Sequence, residues 1–188
     1  WNTSWDWARY EVCGHKWADL SENGYGVSLL NDCKYGYSIK DNAVKLSLLK
    51  SAVYPDTTAD KGVHEFIYSL YPHIGNVTEG GTIEAANQLN LPAQVVSGVF
   101  TDWRKLVEVS SDCVQIDAVK KAEEEDCLIV RLHECRGGRR KVTLTSQFDV
   151  KRIVPCNLLE HDSGEAVEGS KVSFEITPFM IKTFKLYL

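Results

Sequence analysis

The chain of 188 residues has little of what marks membrane, fibrous or nucleic-acid-binding proteins. No apolar run approaches the ~20 residues that cross a bilayer, and no signal-peptide pattern opens the chain. The net charge of −5 argues against nucleic acid or an anionic membrane as the main partner. Hydrophobic residues make up 44% and charged residues 25%, which excludes a disordered or collagen-like chain. We therefore expect a folded protein with no nucleic-acid partner and no membrane partner.

The cysteines lack the spacing of a metal or disulfide framework. No Cys-x-x-Cys pair occurs, which argues against a zinc knuckle and against a dense disulfide scaffold. Most of the cysteines lie in apolar stretches, so we predict buried free thiols, as is typical of a reducing cytoplasm. The six positions are Cys13, Cys33, Cys113, Cys127, Cys135 and Cys156.

Local signatures of catalysis are lacking as well. The five histidines form no His-x-His or His-Glu-x-x-His pair, and there is no Gly-x-Ser-x-Gly elbow and no phosphate-binding loop. Two carboxylates at a fixed separation can hydrolyse a glycosidic bond, but 26 acidic residues offer too many pairs to select one. We assign no catalytic residue and no metal ligand to this chain.

Alternating apolar and polar residues dominate the sequence and predict β-strands. Val44, Leu46 and Leu48 alternate with polar residues, as do Val172, Phe174 and Ile176. The expected fold class is all-β, mainly an antiparallel β-sandwich. Further strands are predicted at 8–20, 25–30, 65–71, 128–134, 141–148 and 180–188.

Turn and helix signals divide these strands. One short helix is predicted at 82–90, because apolar residues share one face and Pro92 follows its end. Hairpins are predicted at Asn23-Gly24, Asp41-Asn42 and Gly137-Gly138. The strands are shorter and more regularly spaced after the segment 91–102. We therefore place a domain boundary near residue 100.

One polar turn stands out at the end of a predicted strand. It contains Asn31, Asp32, Lys34 and Tyr35 and is followed by Gly36. Asn and Asp can hydrogen-bond sugar hydroxyls, and a Tyr ring can pack against the face of a sugar. These four residues are our candidate substrate-binding site. A β-turn that is stabilised by an Asx hydrogen bond is the alternative interpretation.

Several longer motifs in this sequence resemble glycoside hydrolase family 38 α-mannosidases, especially the branch with cytosolic, vacuolar and many bacterial enzymes. The resemblance begins with His15-Lys16-Trp17-Ala18-Asp19-Leu20-Ser21-Glu22 and continues through the candidate turn. The motifs recur in the family's order and are more specific in the first half of the chain. They lie at 15–22, 24–37, 46–50, 55–56, 59–62, 64–73, 85–90, 156–160 and 176–184.

The resemblance implies a place within a larger enzyme. Residues 1–100 would be the end of a large β-sandwich domain, and residues 101–188 would be a small C-terminal β-sandwich. In the family, an N-terminal β/α barrel holds a divalent metal, usually zinc, and an Asp nucleophile performs a retaining double displacement. Those catalytic motifs match no position here, so this chain is expected to hold no cofactor and to be inactive alone.

The implied partners are the enzyme's own catalytic barrel and α-mannoside oligosaccharides, in the cytoplasm; a homo-oligomer of the full enzyme is left open. Loops of the C-terminal region close over the barrel in the family, and the turn at 31–35 is our candidate for that rim. His73 and the loop 56–61 are weaker candidates.

An independent carbohydrate-binding or interaction module is the alternative function. The early tryptophans Trp1, Trp5 and Trp7 could form an exposed aromatic face for it. Because the chain opens on Trp1 and its one methionine is Met180, we favour a piece of a longer protein, in which these tryptophans face other parts of the enzyme.

Overall fold

The computed structural model describes residues 3–7, 10–99 and 105–188, without the side chain of Trp7. The chain divides into two compact units, residues 1–97 and residues 98–188. Every strand pair in the described part is antiparallel, so the predicted all-β fold class is confirmed.

The described residues of the first unit form two three-stranded sheets and two helices. One sheet has the order β2-β3-β6 and the other β1-β4-β5. The predicted helix at 82–90 is confirmed as α2, and the structure adds the four-residue helix α1. The elements are α1 (Ser4–Trp7), β1 (Val12–Cys13), β2 (Trp17–Glu22), β3 (Tyr25–Asn31), β4 (Gly36–Lys40), β5 (Ala43–Ser47), β6 (Tyr68–Ile74) and α2 (Thr82–Asn90).

Two strands of this unit differ from their predicted bounds. The predicted strand 8–20 is interrupted between β1 and β2, because Lys16 has a φ of 67° and turns the chain. The predicted strand 65–71 begins later and ends later, as β6. The predicted hairpins at Asn23-Gly24 and Asp41-Asn42 are confirmed, and they connect β2 to β3 and β4 to β5.

The central sheet β2-β3-β6 has two differently covered faces. Ser28 on one face contacts Thr82 of helix α2. On the other face, Ala18 and Leu29 pack against Tyr37 of β4, together with the half-buried Val44 and Leu46 of β5. This small cluster is the core between the two sheets of the first unit.

The second unit is a sandwich of a five-stranded and a three-stranded sheet, with the orders β12-β11-β14-β9-β8 and β13-β10-β7. Its core joins both sheets, with Leu132 and Phe184 from one and Val142 and Ile176 from the other. The strands are β7 (Val107–Val109), β8 (Val114–Lys121), β9 (Leu128–Glu134), β10 (Arg140–Ser146), β11 (Arg152–Cys156), β12 (Val167–Glu168), β13 (Lys171–Ile176) and β14 (Ile181–Tyr187).

The predicted hairpin at Gly137-Gly138 is wrong. Strand β9 pairs with β8 and β14, whereas β10 pairs with β7 and β13, so this turn carries the chain from one sheet to the other. The buried carboxylate of Glu134 holds the turn by accepting the backbone N–H groups of residues 136, 137 and 138.

The prediction of buried thiols is correct for Cys113, Cys127 and Cys156 but wrong for Cys13 and Cys33, which are exposed. Cys13 lies in the short strand β1 and Cys33 in the turn after β3, where little packs over either side chain. In the part of the chain that the structure describes, neither helix is long and apolar enough to cross a membrane.

Candidate functional site

Asn31 builds the turn that follows β3. Its side chain is only 1% exposed, and its Oδ1 accepts the backbone N–H groups of Cys33 at 3.1 Å and Lys34 at 2.5 Å. Its Nδ2 donates to the hydroxyl of Tyr37, whose pKa is raised by burial. The Asx hydrogen bonds of the alternative interpretation are therefore present. Asn31 shapes the turn from below rather than lining its surface.

Asp32 fastens this turn to the segment before β6. Its backbone N–H donates to the carbonyl of Ile67 at 3.2 Å, and its Oδ1 accepts the N–H of Ile67 at 3.0 Å. Hydrogen bonds from Cys33 and from the backbone N–H of Ile67 lower the pKa of Asp32. Asp32 is therefore a carboxylate at neutral pH.

Lys34 and Tyr35 present the accessible groups of the turn. The Lys34 ammonium lies 4.9 Å from the ring centroid of Phe66. Tyr35 is 55% exposed and packs edge-to-face on His15, with 5.1 Å between the ring centroids. We call Asp32, Lys34, Tyr35 and Phe66 the rim cluster.

The rim cluster has the chemistry of a sugar contact without that of a catalyst. A carboxylate and an ammonium group can hydrogen-bond hydroxyls, and an exposed phenol ring can cover the apolar face of a pyranose. Among the described residues, no three His, Cys, Asp or Glu side chains lie together as a metal site would require. The four candidate substrate-binding residues therefore divide into Asn31, which shapes the turn, and Asp32, Lys34 and Tyr35, which line it.

A second polar cluster, which the sequence did not reveal, lies between β2, β3, β6 and α2. Asp19 Oδ1 accepts hydrogen bonds from Ser28 Oγ at 2.6 Å and from His73 Nε2 at 2.7 Å. Ser28 and Thr82 share a hydrogen bond of 2.6 Å. Burial alone would raise the pKa of Asp19, but hydrogen bonds from Ser21, Ser28 and His73 bring it below its ordinary value.

The order of groups in this buried cluster favours a structural role. The carboxylate of Asp19 lies between His73 and Ser28, so the imidazole hydrogen-bonds the carboxylate and not the serine hydroxyl that it would have to activate. His73, one of the weaker candidates, is thereby a packing residue. In the loop 56–61, Asp56 Oδ1 accepts both the backbone N–H and the hydroxyl of Thr58, which makes a local turn. The sequence predicts strands at Asp19 and Ser28, but the predicted strand 65–71 ends before His73, so no sequence signal joins the three residues.

Comparison with known families identifies both ends of the chain. The family model described as the glycosyl hydrolases family 38 C-terminal domain matches residues 1–58. The model described as the glycosyl hydrolases family 38 C-terminal beta sandwich domain matches residues 113–184. Together they cover most of both compact units.

Relatives and solved structures agree with this assignment. Alpha-mannosidase G of Dictyostelium discoideum is 41% identical over 98% of this chain and 18% of its own length. Alpha-mannosidase 2C1 of Homo sapiens is 39% identical over 100% of this chain and 19% of its own length. The Alpha-mannosidase of Saccharomyces cerevisiae is 34% identical over 99% of this chain and 20% of its own length.

The crystal structure of an α-mannosidase from Enterococcus faecalis V583 has the same fold, with a TM-score of 0.70 and 17% identity over 93% of this chain and 21% of that one. The chain thus spans about a fifth of the length of the relatives that it matches. It belongs to glycosyl hydrolase family 38, and its sequence comprises C-terminal domains of that family.

Proposed function

We propose that this chain is the C-terminal region of a cytoplasmic α-mannosidase, which hydrolyses terminal α-mannosides with retention at a divalent metal, zinc in most of the family, in its catalytic barrel. The observation that carries the proposal is the identity of 34–41% with proteins named α-mannosidase over nearly the whole chain. This region supports the catalytic barrel and lines the substrate cleft with the rim cluster.

The separation of catalysis from this region is tested by comparing two proteins. We expect the full-length enzyme to hydrolyse a chromogenic α-mannoside and to lose that activity after chelation of its metal. We expect the 188-residue chain to release no product under the same conditions. Hydrolysis by the isolated chain, above that of a chelated sample, would disprove the proposal.

The contribution of the rim cluster is tested within the full-length enzyme. Asp32→Ala and Lys34→Ala each remove one charged hydrogen-bonding group, so we expect kcat/KM to fall roughly tenfold for an oligosaccharide. The matched control is Lys45→Ala, an exposed lysine of β5 outside the cluster. Unchanged kinetics in both rim variants, with unaltered thermal midpoints, would show that the cluster does not line the cleft.

An independent carbohydrate-binding module is the second candidate. The exposure of Tyr35, and of Tyr68 whose ring stacks on Phe66 at 6.4 Å between centroids, favours it. Trp5 is exposed, while Trp1 and the side chain of Trp7 lie outside the described residues. Titration of the isolated chain with mannose oligosaccharides separates the candidates, because only a binding module would show saturable binding that Tyr35→Ala abolishes.

A further inference from the structure

The strand β6 presents an apolar surface that the described residues of the first unit leave exposed. Its residues alternate strictly, and Ser69, Tyr71 and His73 point to the same side as helix α2. The opposite side carries Tyr68, Leu70, Pro72 and Ile74. Leu70 is 68% exposed and Ile74 is 86% exposed. We call these four residues, with Tyr25 and Val27 of the paired strand β3, the open face.

The open face continues the surface on which the core of the first unit is built. Leu70 pairs with Leu29, which is buried against the second sheet, whereas Ile74 pairs with the exposed Tyr25. The second sheet therefore covers one part of the central sheet and leaves the β6 side bare. Sheets with one apolar face normally bury all of it against another layer.

A cleft lies where the open face meets the covered part of the central sheet, and residues of both line it. It has a volume of about 560 Å³, and its apolar lining includes Leu20, Val27 and Leu70. Glu22, Asp41 and Asn42 line it as well. Apolar side chains accompanied by a few polar ones are usual in a protein–protein contact.

We infer that the open face is buried by an apolar surface from another part of the same α-mannosidase polypeptide, an inference that rests on the proposed function. The matched relatives and solved structures have about four-fifths of their chains outside the region that corresponds to this one, so such surfaces are present in the same polypeptide. The aliphatic side chains of Leu70, Pro72 and Ile74 offer no hydrogen bonds to a sugar.

The contact is made by the face of β6 and not by its free edge. Strand β6 pairs only with β3 in the described part of the chain, so its other edge carries no strand. Pro72 has no N–H to donate to an added strand, which disfavours extension of the sheet at that edge. Burial of the apolar side chains against a further layer remains as the way to remove them from water.

Thiol labelling in two proteins tests this inference. Leu70→Cys and Ile74→Cys are introduced separately into the 188-residue chain and into the full-length polypeptide, and maleimide labelling is read at each position by peptide mass spectrometry. We expect labelling at both positions to be at least about tenfold slower in the full-length polypeptide, an opening free energy of about 1.4 kcal/mol or more. The matched control is Leu159→Cys on the second unit, where the native leucine is 75% exposed and labelling should be fast in both proteins.

Equal labelling at 70 and 74 in the two proteins would overturn the inference. Protection of the 188-residue chain that grows with its own concentration would assign the face to a second copy, and protection by added mannose oligosaccharides would assign it to a sugar. Either result would overturn it as well. Protection in a full-length polypeptide that lacks α-mannosidase activity would retain the covered face and reject the proposed function.

Discussion

At the scale of single residues, the same side-chain type takes different roles according to what surrounds it. Asn31 and Asp32 are neighbours in the sequence and equally suited to binding sugar hydroxyls. The structure buries the amide of Asn31 under the turn and leaves Asp32 at the surface of the rim cluster. Residue type and spacing predicted the polar turn, but they could not predict this division, because it depends on Tyr37 of β4 lying beneath Asn31.

Glu134 is the clearest residue whose importance only the structure reveals. Its carboxylate is fully buried and accepts four backbone N–H groups, three from residues 136, 137 and 138 and one from Phe179. Burial alone would raise the pKa of Glu134, but these hydrogen bonds outweigh it and lower the pKa. The side chain thereby joins the turn after β9 to the turn before β14.

We predict that Glu134→Gln destabilises the second unit by about 1–3 kcal/mol, because the amide NH₂ would face backbone donors. The lowered pKa means that the contribution of the carboxylate is present above the unfolded pKa and is lost as the pH falls through the folded pKa. The difference in the free energy of unfolding between wild type and Glu134→Gln should therefore shrink on acidification. Urea denaturation followed by circular dichroism measures it, with Glu124→Gln on an exposed turn as the control. An equal midpoint for wild type and Glu134→Gln at neutral pH would contradict the prediction.

At the scale of elements, the sequence predicted helix α2 but not its position on the sheet. The helical spacing of Ile83, Ala86 and Leu89 and the following Pro92 define α2 within the sequence itself. Helix α2 contacts the sheet through the hydrogen bond between Thr82 and Ser28, and on the same side of the sheet the ring of His73 is enclosed by two glycines. A Cβ at Gly26 or Gly80 would come within 2.4 Å or 2.2 Å of that ring.

We predict that Gly80→Ala destabilises the first unit by about 1–3 kcal/mol, because the added methyl group would overlap the ring of His73. Urea denaturation followed by tryptophan fluorescence measures the change. Gly138→Ala is the control, since its Cβ would meet its nearest neighbour at an ordinary 3.6 Å. In a His73→Ala background the cost of Gly80→Ala should largely disappear, and an undiminished cost there would contradict the steric explanation.

The strands show the same difference between local and non-local information. The alternation in β5 and β13 is strong enough to predict both strands close to their observed bounds. The turn at Gly137-Gly138 has the local sequence of a hairpin. Its flanking strands nevertheless join different sheets, because Glu134 holds the turn and the two sheets pack against each other. The positive φ of Lys16 has no signal in its residue type, so the interruption between β1 and β2 was missed.

At the scale of the whole molecule, the two units differ in how well their cores are filled. In the second unit Ile129, Val130, Leu132, Phe184 and Leu186 are at most 1% exposed. Among the residues that the structure describes, the sheet-to-sheet core of the first unit has Ala18, Leu29 and Tyr37 as its buried members. Stability within a protein follows the density of buried apolar contacts.

We predict that backbone amides of β9 and β14 exchange hydrogen at least about tenfold more slowly than those of β3 and β6 in the 188-residue chain. Hydrogen–deuterium exchange with mass spectrometry measures both sets in one sample, so each serves as the control for the other. If the open face is covered in the full-length enzyme as we infer, the difference in exchange rate between the two sets of strands should be smaller there. Equal exchange rates in the isolated chain would show that the small core of the first unit protects its strands as well as the core of the second unit does, and would contradict the prediction.

The fold class, helix α2, two hairpins and the family could all be predicted from the amino-acid sequence, because each depends on short-range periodicity or on motifs in a fixed order. The folded structure was needed to show which polar side chains are buried, which apolar face of β6 is exposed, and that Glu134 joins two turns. These features depend on contacts between residues far apart in the chain, such as Asp19 with His73 and Glu134 with Phe179. No local pattern encodes such contacts, because the energy of a buried polar group is set by the partners that folding brings to it.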